Sequence, residues 1–246
     1  MNNSEISKWP IAIIYRWLRD IGQGLPPVGR VNLGSLGRVK PISAEFGFDR
    51  GLPIDRYYIE NFLSRHAEDI KGHVLEIKEP LYTYKFGEKH VTKSDILHVE
   101  LGNPKATIIA DLTKADHLSS DTFDCIILTQ TLPFIYDVRA ALKTLHRILK
   151  PNGVLLATVP GISQISRDDM DRWGQYWSFT SLSTQRLLEE VFSADKIQVE
   201  AYGNVLAAIA FLHGLVTEEF RQTQLDYHDP NYEVLITARA VKEVGL

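Results

Sequence analysis

The segment PGISQISRDDMDRWGQYWSFT, residues 160–180, sets Arg167, Asp168, Asp169, Asp171 and Arg172 among Trp173, Tyr176 and Trp177. Aromatic rings beside carboxylates and guanidinium groups suit a sugar, whose apolar faces stack and whose hydroxyls hydrogen-bond. The same residues also suit a helical lid whose tryptophans pack on the protein and whose charges are solvated. Asp168 or Asp169 could take the proton of an acceptor hydroxyl, and His117 is a third candidate base. His146 and His213 fall inside apolar helical patterns and read as structural.

A second chemical question is raised by VLEIKEPLYTYKFG, residues 74–87. A short apolar run carries one acid, Glu76, near its end. In many nucleotide-binding α/β proteins such a strand runs into a glycine-rich turn. Here Lys78, Pro80 and Tyr82 occupy the turn, and no glycine follows until Gly87. Lys78 could pair with a carboxylate or a phosphate, or face solvent; Tyr82 and Tyr84 could stack on a ring or pack over the strand end.

The elements that must position these residues follow from periodicity. HVLEI, HVTKSDILHV, ATIIADL, FDCIILTQ, VLLATVP, KIQVEAYG and YEVLITARAV read as strands. FDCIILTQ is apolar throughout, as a buried parallel strand should be. IDRYYIENFLSRHA places Ile54, Tyr58, Ile59, Phe62 and Leu63 on one helix face, and VRAALKTLHRILKPNG predicts a helix stopped by Pro151-Asn152-Gly153. SLSTQRLLEEVF and VLAAIAFLHGLV are further helices. Strands with interposed helices predict an α/β, doubly wound, mostly parallel seven-stranded sheet, with the last strand (residues 233–241) antiparallel beside the fifth. Ligands of such sheets sit at the carboxyl ends of the strands. Three segments should meet there: Thr129-Gln130-Thr131, the aromatic loop, and FDRGLPIDRYY with Arg56 and Tyr57. Gln130, Arg167, Trp173, Tyr176, Trp177, Arg56 and Tyr57 are therefore the expected acceptor-binding residues.

The chain has 246 residues, 44% hydrophobic and 24% charged, with a formal charge of −4. This is a globular composition without the basic field that collects nucleic acid. Cys125 is the only cysteine, so internal disulfides and cysteine-based zinc cages are excluded and a cytoplasmic, reducing home is expected. No His/Cys/carboxylate spacing suggests a metal, and no Gly-x-Ser-x-Gly elbow suggests a hydrolase. WPIAIIYRWLRDIG, residues 9–22, reads as an amphipathic helix that packs on its own domain or docks on a membrane or partner; it is too short and charged to span a bilayer. Residues 1–53 are expected to be an N-terminal helix and loop-rich extension, and residues 54–246 the main domain.

Residues 74–160 resemble the class I methyltransferases, a Rossmann-like family that binds S-adenosylmethionine (SAM). The signature is DTFDCIILTQTLPFIYDVRAALKTLHRILKPNGVLLATVPG, and YWSFTSLSTQRLLEEVF is similar to the turn and helix before their sixth strand. The chain also resembles bacterial methyltransferase-like proteins encoded near glycan-assembly genes. The resemblance implies that Glu76, at the end of the first strand, orients the methionyl end of SAM. It implies that Asp95, at the end of the second, accepts from the ribose hydroxyls; 95 − 76 = 19 is close to the roughly 20 residues expected for a ribose-binding acid. It places Asp111 at the adenine amino group and Leu112 beside the ring; Lys78, which could pair with the SAM carboxylate, and Thr129, after the fourth strand, are further candidate cofactor contacts. Either Asp95 or Asp111 could instead cap a turn. The family's Gly-x-Gly-x-Gly positions are Lys78, Pro80 and Tyr82, so the turn must be built differently. O-methylation of a sugar, glycan or other small hydroxylated acceptor is the expected activity. A repurposed pocket for a nucleotide-sugar and a non-catalytic partner module are the alternatives.

Overall fold

The computed structural model describes residues 26 and 28–244, so the expected helix at 9–22 lies outside the described residues. The chain divides into two compact units, Met1–Pro41 and Ile42–Leu246. The described part of the first contains a 3-10 turn, Gly34–Leu36, where the Gly34 N–H donates to Asn32 Oδ1 at 2.9 Å. In the second unit, residues 42–53 are tied to residues 213–218. The N–H groups of Ile42 and Ser43 donate to His213 O at 2.9 and 3.0 Å, Thr217 N–H donates to Leu52 O at 2.9 Å, and Pro53 bridges Val216.

Seven strands form one sheet in the order β3-β2-β1-β4-β5-β7-β6. They are β1 (Gly72–Ile77), β2 (Val91–His98), β3 (Ile108–Ile109), β4 (Phe123–Thr129), β5 (Leu149–Pro160), β6 (Ile197–Tyr202) and β7 (Leu235–Val241). The first five pair in parallel; β7 is antiparallel to both β5 and β6. The expected sheet, with its antiparallel last strand beside the fifth, is therefore present. Six α-helices are described: α1 (Ile54–Arg65), α2 (Val138–Ile148), α3 (Arg167–Trp173), α4 (Ser181–Glu189), α5 (Val205–Leu212) and α6 (Gln222–Asp226).

Alternation along the strands sends side chains to two cores. On one face α2 buries Val138, Ala141, Leu142, Leu145 and Ile148 with Leu75, Leu97, Ile126, Leu128 and Leu155. On the other α1 buries Ile54, Tyr58, Ile59, Phe62 and Leu63 with Val74, Cys125, Ile127 and Leu156. Asp137 starts α2 by accepting the Ala140 N–H at 3.0 Å.

Two local expectations change, and the short crossover after β1 is built as its length requires. The third strand is only Ile108–Ile109, since just these residues pair with Leu97 and His98. The fifth strand starts at Leu149, ahead of the Pro151-Asn152-Gly153 stop. Leu149 pairs with Phe123, and Asn152, at φ 63°, donates its N–H to Lys242 O at 2.8 Å. The β1–β2 crossover has no full α-helix: a π-helical turn, Thr83–Gly87, and a 3-10 turn, Glu88–His90, fill it. Among the described residues no helix is long and apolar enough to cross a membrane.

Candidate functional site

The order of the parallel strands reverses between β1 and β4, and at such a switch point the carboxyl ends of the two strands splay to leave a crevice. Both strands leave the sheet through a non-glycine residue in the left-handed region: Lys78 at φ 72° after β1 and Gln130 at φ 50° after β4. The Lys78 N–H donates to Leu97 O at 3.0 Å, and Lys78 O accepts from Asn103 Nδ2 at 2.6 Å. Gln130 N–H donates to Thr158 O at 2.9 Å. Left-handed residues cluster at binding sites, where the surrounding hydrogen bonds hold them in place. Thr129, half-buried at the end of β4, accepts the Thr131 hydroxyl at its carbonyl, 3.0 Å away.

Glu76 is 3% exposed and accepts the Tyr82 and Thr83 N–H groups at 3.0 and 2.7 Å. Burial pushes its carboxyl above the usual range, against the pull of those amides. Its carboxylate therefore fastens the turn after β1. Lys78 is exposed, whereas Tyr82 is 4% exposed and packs in the α1-side core.

Asp95 does not end its strand. It pairs with Leu75 in the body of β2, is 8% exposed, and contacts His73 Nε2 at 2.6 Å, Thr107 Oγ1 at 2.7 Å and Lys93 Nζ at 2.9 Å. Its carboxylate binds this network across neighbouring strands. The acid just beyond β2 is Glu100, which is exposed and which the 19-residue spacing passed over. The strand end itself was the available signal: the ladder runs to His98, and Glu100 follows two residues later. Asp111 does stand just past β3. It is exposed and accepts the N–H and hydroxyl of Thr113 on Oδ1 at 2.9 and 2.8 Å. Leu112 is 3% exposed in the core beside it.

The aromatic segment after β5 forms α3 and then an extended run. Ser166 caps α3 and its hydroxyl contacts Asp169 Oδ2 at 2.6 Å. Asp168 is exposed in the first turn, and Arg167 pairs with Asp171 at 3.5 Å on the solvent side. Trp173 meets His98, at the end of β2, edge-to-face at 5.7 Å. Tyr176 N–H donates to Pro133 O at 2.8 Å, and Trp177 Nε1 to Ile135 O at 3.1 Å. Gln164 Nε2 reaches Ala44 O at 3.1 Å. The segment thus touches the exits of β2 and β4 and the loop before α1. These contacts fall at Pro133 and Ile135, just beyond Thr129-Gln130-Thr131, and at Ala44, ahead of FDRGLPIDRYY.

Tyr136, absent from the sequence-derived set, completes an aromatic platform. Its ring lies 5.3 Å from Tyr176, edge-on, and 6.0 Å from Trp177, stacked. All three remain exposed, at 71%, 49% and 40%. Its FIYD context gives no periodic signal that sequence reading could use.

Arg56 and Tyr57 lie in the first turn of α1. Arg56 Nη1 donates to the Tyr82 hydroxyl at 3.4 Å, and its guanidinium sits 5.5 Å from the Phe48 ring centroid. Tyr57 donates to Asp226 Oδ1 at 2.5 Å, so its hydroxyl is engaged with α6. His117 lies apart from the others. Arg147, at the end of α2, donates to Ala115 O and Leu118 O on either side of it, which places this exposed histidine toward the amino ends of the strands.

Comparison with known proteins agrees with this architecture. A family model described as a methyltransferase domain matches residues 45–201. A SAM-dependent methyltransferase from Archaeoglobus fulgidus superposes with a TM-score of 0.50 at 10% identity, covering 76% of this chain and 94% of the other. Phosphoethanolamine N-methyltransferase 2 of Haemonchus contortus, solved with S-adenosyl-L-methionine, superposes with a TM-score of 0.52 at 14% identity, covering 86% of this chain and 55% of the other. A 66-residue stretch is 35% identical to "Probable polyketide synthase 10" of Dictyostelium discoideum; it makes up 27% of this chain and 3% of that protein's length. The sheet order, the reversal between β1 and β4, and a family match that runs from the loop before α1 to β6 lead to one assignment: the chain belongs to the methyltransferase-domain family.

Proposed function

We propose that the chain is a SAM-dependent methyltransferase acting on a hydroxyl of a small, sugar-like acceptor. The aromatic platform of Tyr136, Tyr176 and Trp177 carries the acceptor part of this reading. It is exposed, preformed, and held by backbone hydrogen bonds at the end of the sheet where the family binds ligands. The stacked Tyr136 and Trp177 rings with Tyr176 edge-on, beside the charges of α3, suit a polyhydroxylated ring better than an apolar one.

The nucleoside half of SAM fits the residues present. Glu100 and Asp111 follow adjacent strands β2 and β3, and a carboxylate, which only accepts, matches ribose hydroxyls and an adenine amino group. Leu112 offers an apolar neighbour for the base. The turn after β1 keeps a left-handed residue at Lys78, but Pro80 and Tyr82 stand where two glycines are usual. When bound, SAM supplies an electrophilic methyl carbon. The protein's part is to orient the acceptor and receive its proton. Asp168 is the best-placed acceptor of that proton, because Asp169 is occupied by Ser166 and His117 lies toward the far end of the strands. Gln130, Arg167 and Trp173 line the acceptor's approach.

Calorimetric titration with S-adenosylhomocysteine tests the cofactor, and methyl transfer from labelled SAM to a panel of glycosides tests the acceptor. Glu100→Gln and Asp111→Asn should each weaken cofactor binding by roughly ten- to a hundredfold, from about 1.5–3 kcal/mol for a hydrogen bond to a charged group. Wild-type protein that ignores S-adenosylhomocysteine at millimolar concentration would end the proposal. The exposed Lys78 favours a second reading, group transfer from a nucleotide-sugar, which requires sugar-nucleotide binding that Lys78→Ala abolishes.

A further inference from the structure

Resting on the SAM reading above, we infer that Asp55 and Arg56 form a site for a zwitterionic α-amino-acid group and hold the amino-acid end of the cofactor in place of the missing glycine turn. The two residues open α1, whose far end leads through Ala67–Asp69 into the amino end of β1. The first turn of α1 is therefore at the carboxyl end of β1, and the Arg56 contact with Tyr82, at the third glycine position, fixes it there.

Both side chains are left incompletely bonded. Asp55 is 6% exposed, and its Oδ1 has no hydrogen-bond partner among the described residues. Arg56 Nε lies 3.8 Å from Asp55 Oδ2, too far for a hydrogen bond. The Arg56 side chain is 24% exposed, and among the described residues its one hydrogen bond is the 3.4 Å contact with the Tyr82 hydroxyl. A guanidinium carries five N–H donors, so most of its capacity is unused. Buried polar atoms normally find partners, and a carboxylate oxygen left without one is costly. Burial accordingly raises the Asp55 carboxyl above its ordinary range, with Arg56 opposing the shift.

The ligand that satisfies both is one with an acceptor anion for Arg56 and a donor for Asp55 a bond or two apart. An α-ammonium-carboxylate has that form. A simple carboxylate or phosphate would leave Asp55 unpaired beside a second negative charge, and an amine alone would leave Arg56 idle. Each Glu76 oxygen already accepts one amide of the turn, whereas Asp55 Oδ1 accepts none among the described residues. The Phe48 ring against the guanidinium restricts its orientation.

The test is calorimetry of the full chain with S-adenosylhomocysteine and with 5′-methylthioadenosine, the corresponding nucleoside thioether without the amino acid. Wild type should bind S-adenosylhomocysteine at least tenfold more tightly. Arg56→Gln and Asp55→Asn should each remove that preference while leaving methylthioadenosine affinity unchanged, which also shows that the variants are folded. Should either variant fail to fold, ligand changes on the wild type replace it: the methyl ester and the decarboxylated form of S-adenosylhomocysteine should each lose tenfold or more. Wild type that binds both thioethers equally, or variants and modified ligands that keep the wild-type preference, would overturn this inference alone. Binding of neither thioether by wild type would overturn the SAM reading and this site with it.

Discussion

Replacing Lys78 with glycine should stabilise the protein. Lys78 sits at φ 72°, where a Cβ costs an L-residue roughly 1–2 kcal/mol. Glycine removes that strain but gives the unfolded chain more freedom, worth about 0.5–1 kcal/mol in the opposite direction. The net gain should be about 0.5–1 kcal/mol. The backbone has reason to stay in place: Leu97 O and Asn103 Nδ2 hold the Lys78 peptide groups on both sides. Because the side chain is exposed, little packing is lost. Lys78→Ala keeps the Cβ and removes the charge, so it should leave stability within about 0.5 kcal/mol of wild type. Urea unfolding of the three proteins at constant m-value measures both differences, and a change of 1 kcal/mol corresponds to roughly 2–4 °C in Tm for a chain of this size. If Lys78→Gly destabilises, or Lys78→Ala stabilises as much, strain at this turn is not what the substitution relieves.

Asp95→Asn should destabilise by about 1–2 kcal/mol at neutral pH, since it weakens a part-buried network with His73, Thr107 and the exposed Lys93. Burial pushes the Asp95 carboxyl up, but the hydrogen bonds from Lys93, His73 and Thr107 outweigh it and hold the native group below its ordinary value. Its contribution is therefore complete above the unfolded-state value and lost as pH falls toward the native one, a limb that denaturation at graded acidity should find missing in the variant. Cys125 is fully buried and burial drives its thiol upward, so a thiol reagent should label it only under denaturing conditions; rapid native labelling would contradict its placement in β4. Gly174 takes φ 80° with Tyr176 ring atoms 2.5 Å from where a Cβ would stand, so Gly174→Ala should cost roughly 1–2 kcal/mol and displace the ring. Unchanged tryptophan emission and unchanged acceptor affinity in that variant would separate the platform from the acceptor site.

Much of the fold was legible in the sequence, and for a definite reason. Burial repeats along a strand with period two and along a helix with period 3.6, so Ile54 to Leu63 and Val138 to Ile148 announce their elements without knowledge of their neighbours. The apolar FDCIILT likewise announces a central strand, and the run of such elements announces a doubly wound sheet. Strand ends are another matter. Pairing decides them, and pairing joins residues far apart in sequence. Leu149 enters the ladder because Phe123 is there to receive it, and β3 shrinks to Ile108–Ile109 because only those residues find partners in β2. Asp95 was singled out by its spacing from Glu76 although HVTKSDILHV already read as a strand running past it, and so Glu100 was missed. The turn after β1 shows the same division. Its missing glycines are plain in the sequence, but the left-handed backbone at Lys78, the capture of the Tyr82 and Thr83 amides by Glu76, and the approach of Arg56 to Tyr82 are products of tertiary contact. Local pattern determined which elements this chain forms and which faces they bury; only the hydrogen-bond register between distant segments decided which polar side chains meet at the ends of the strands.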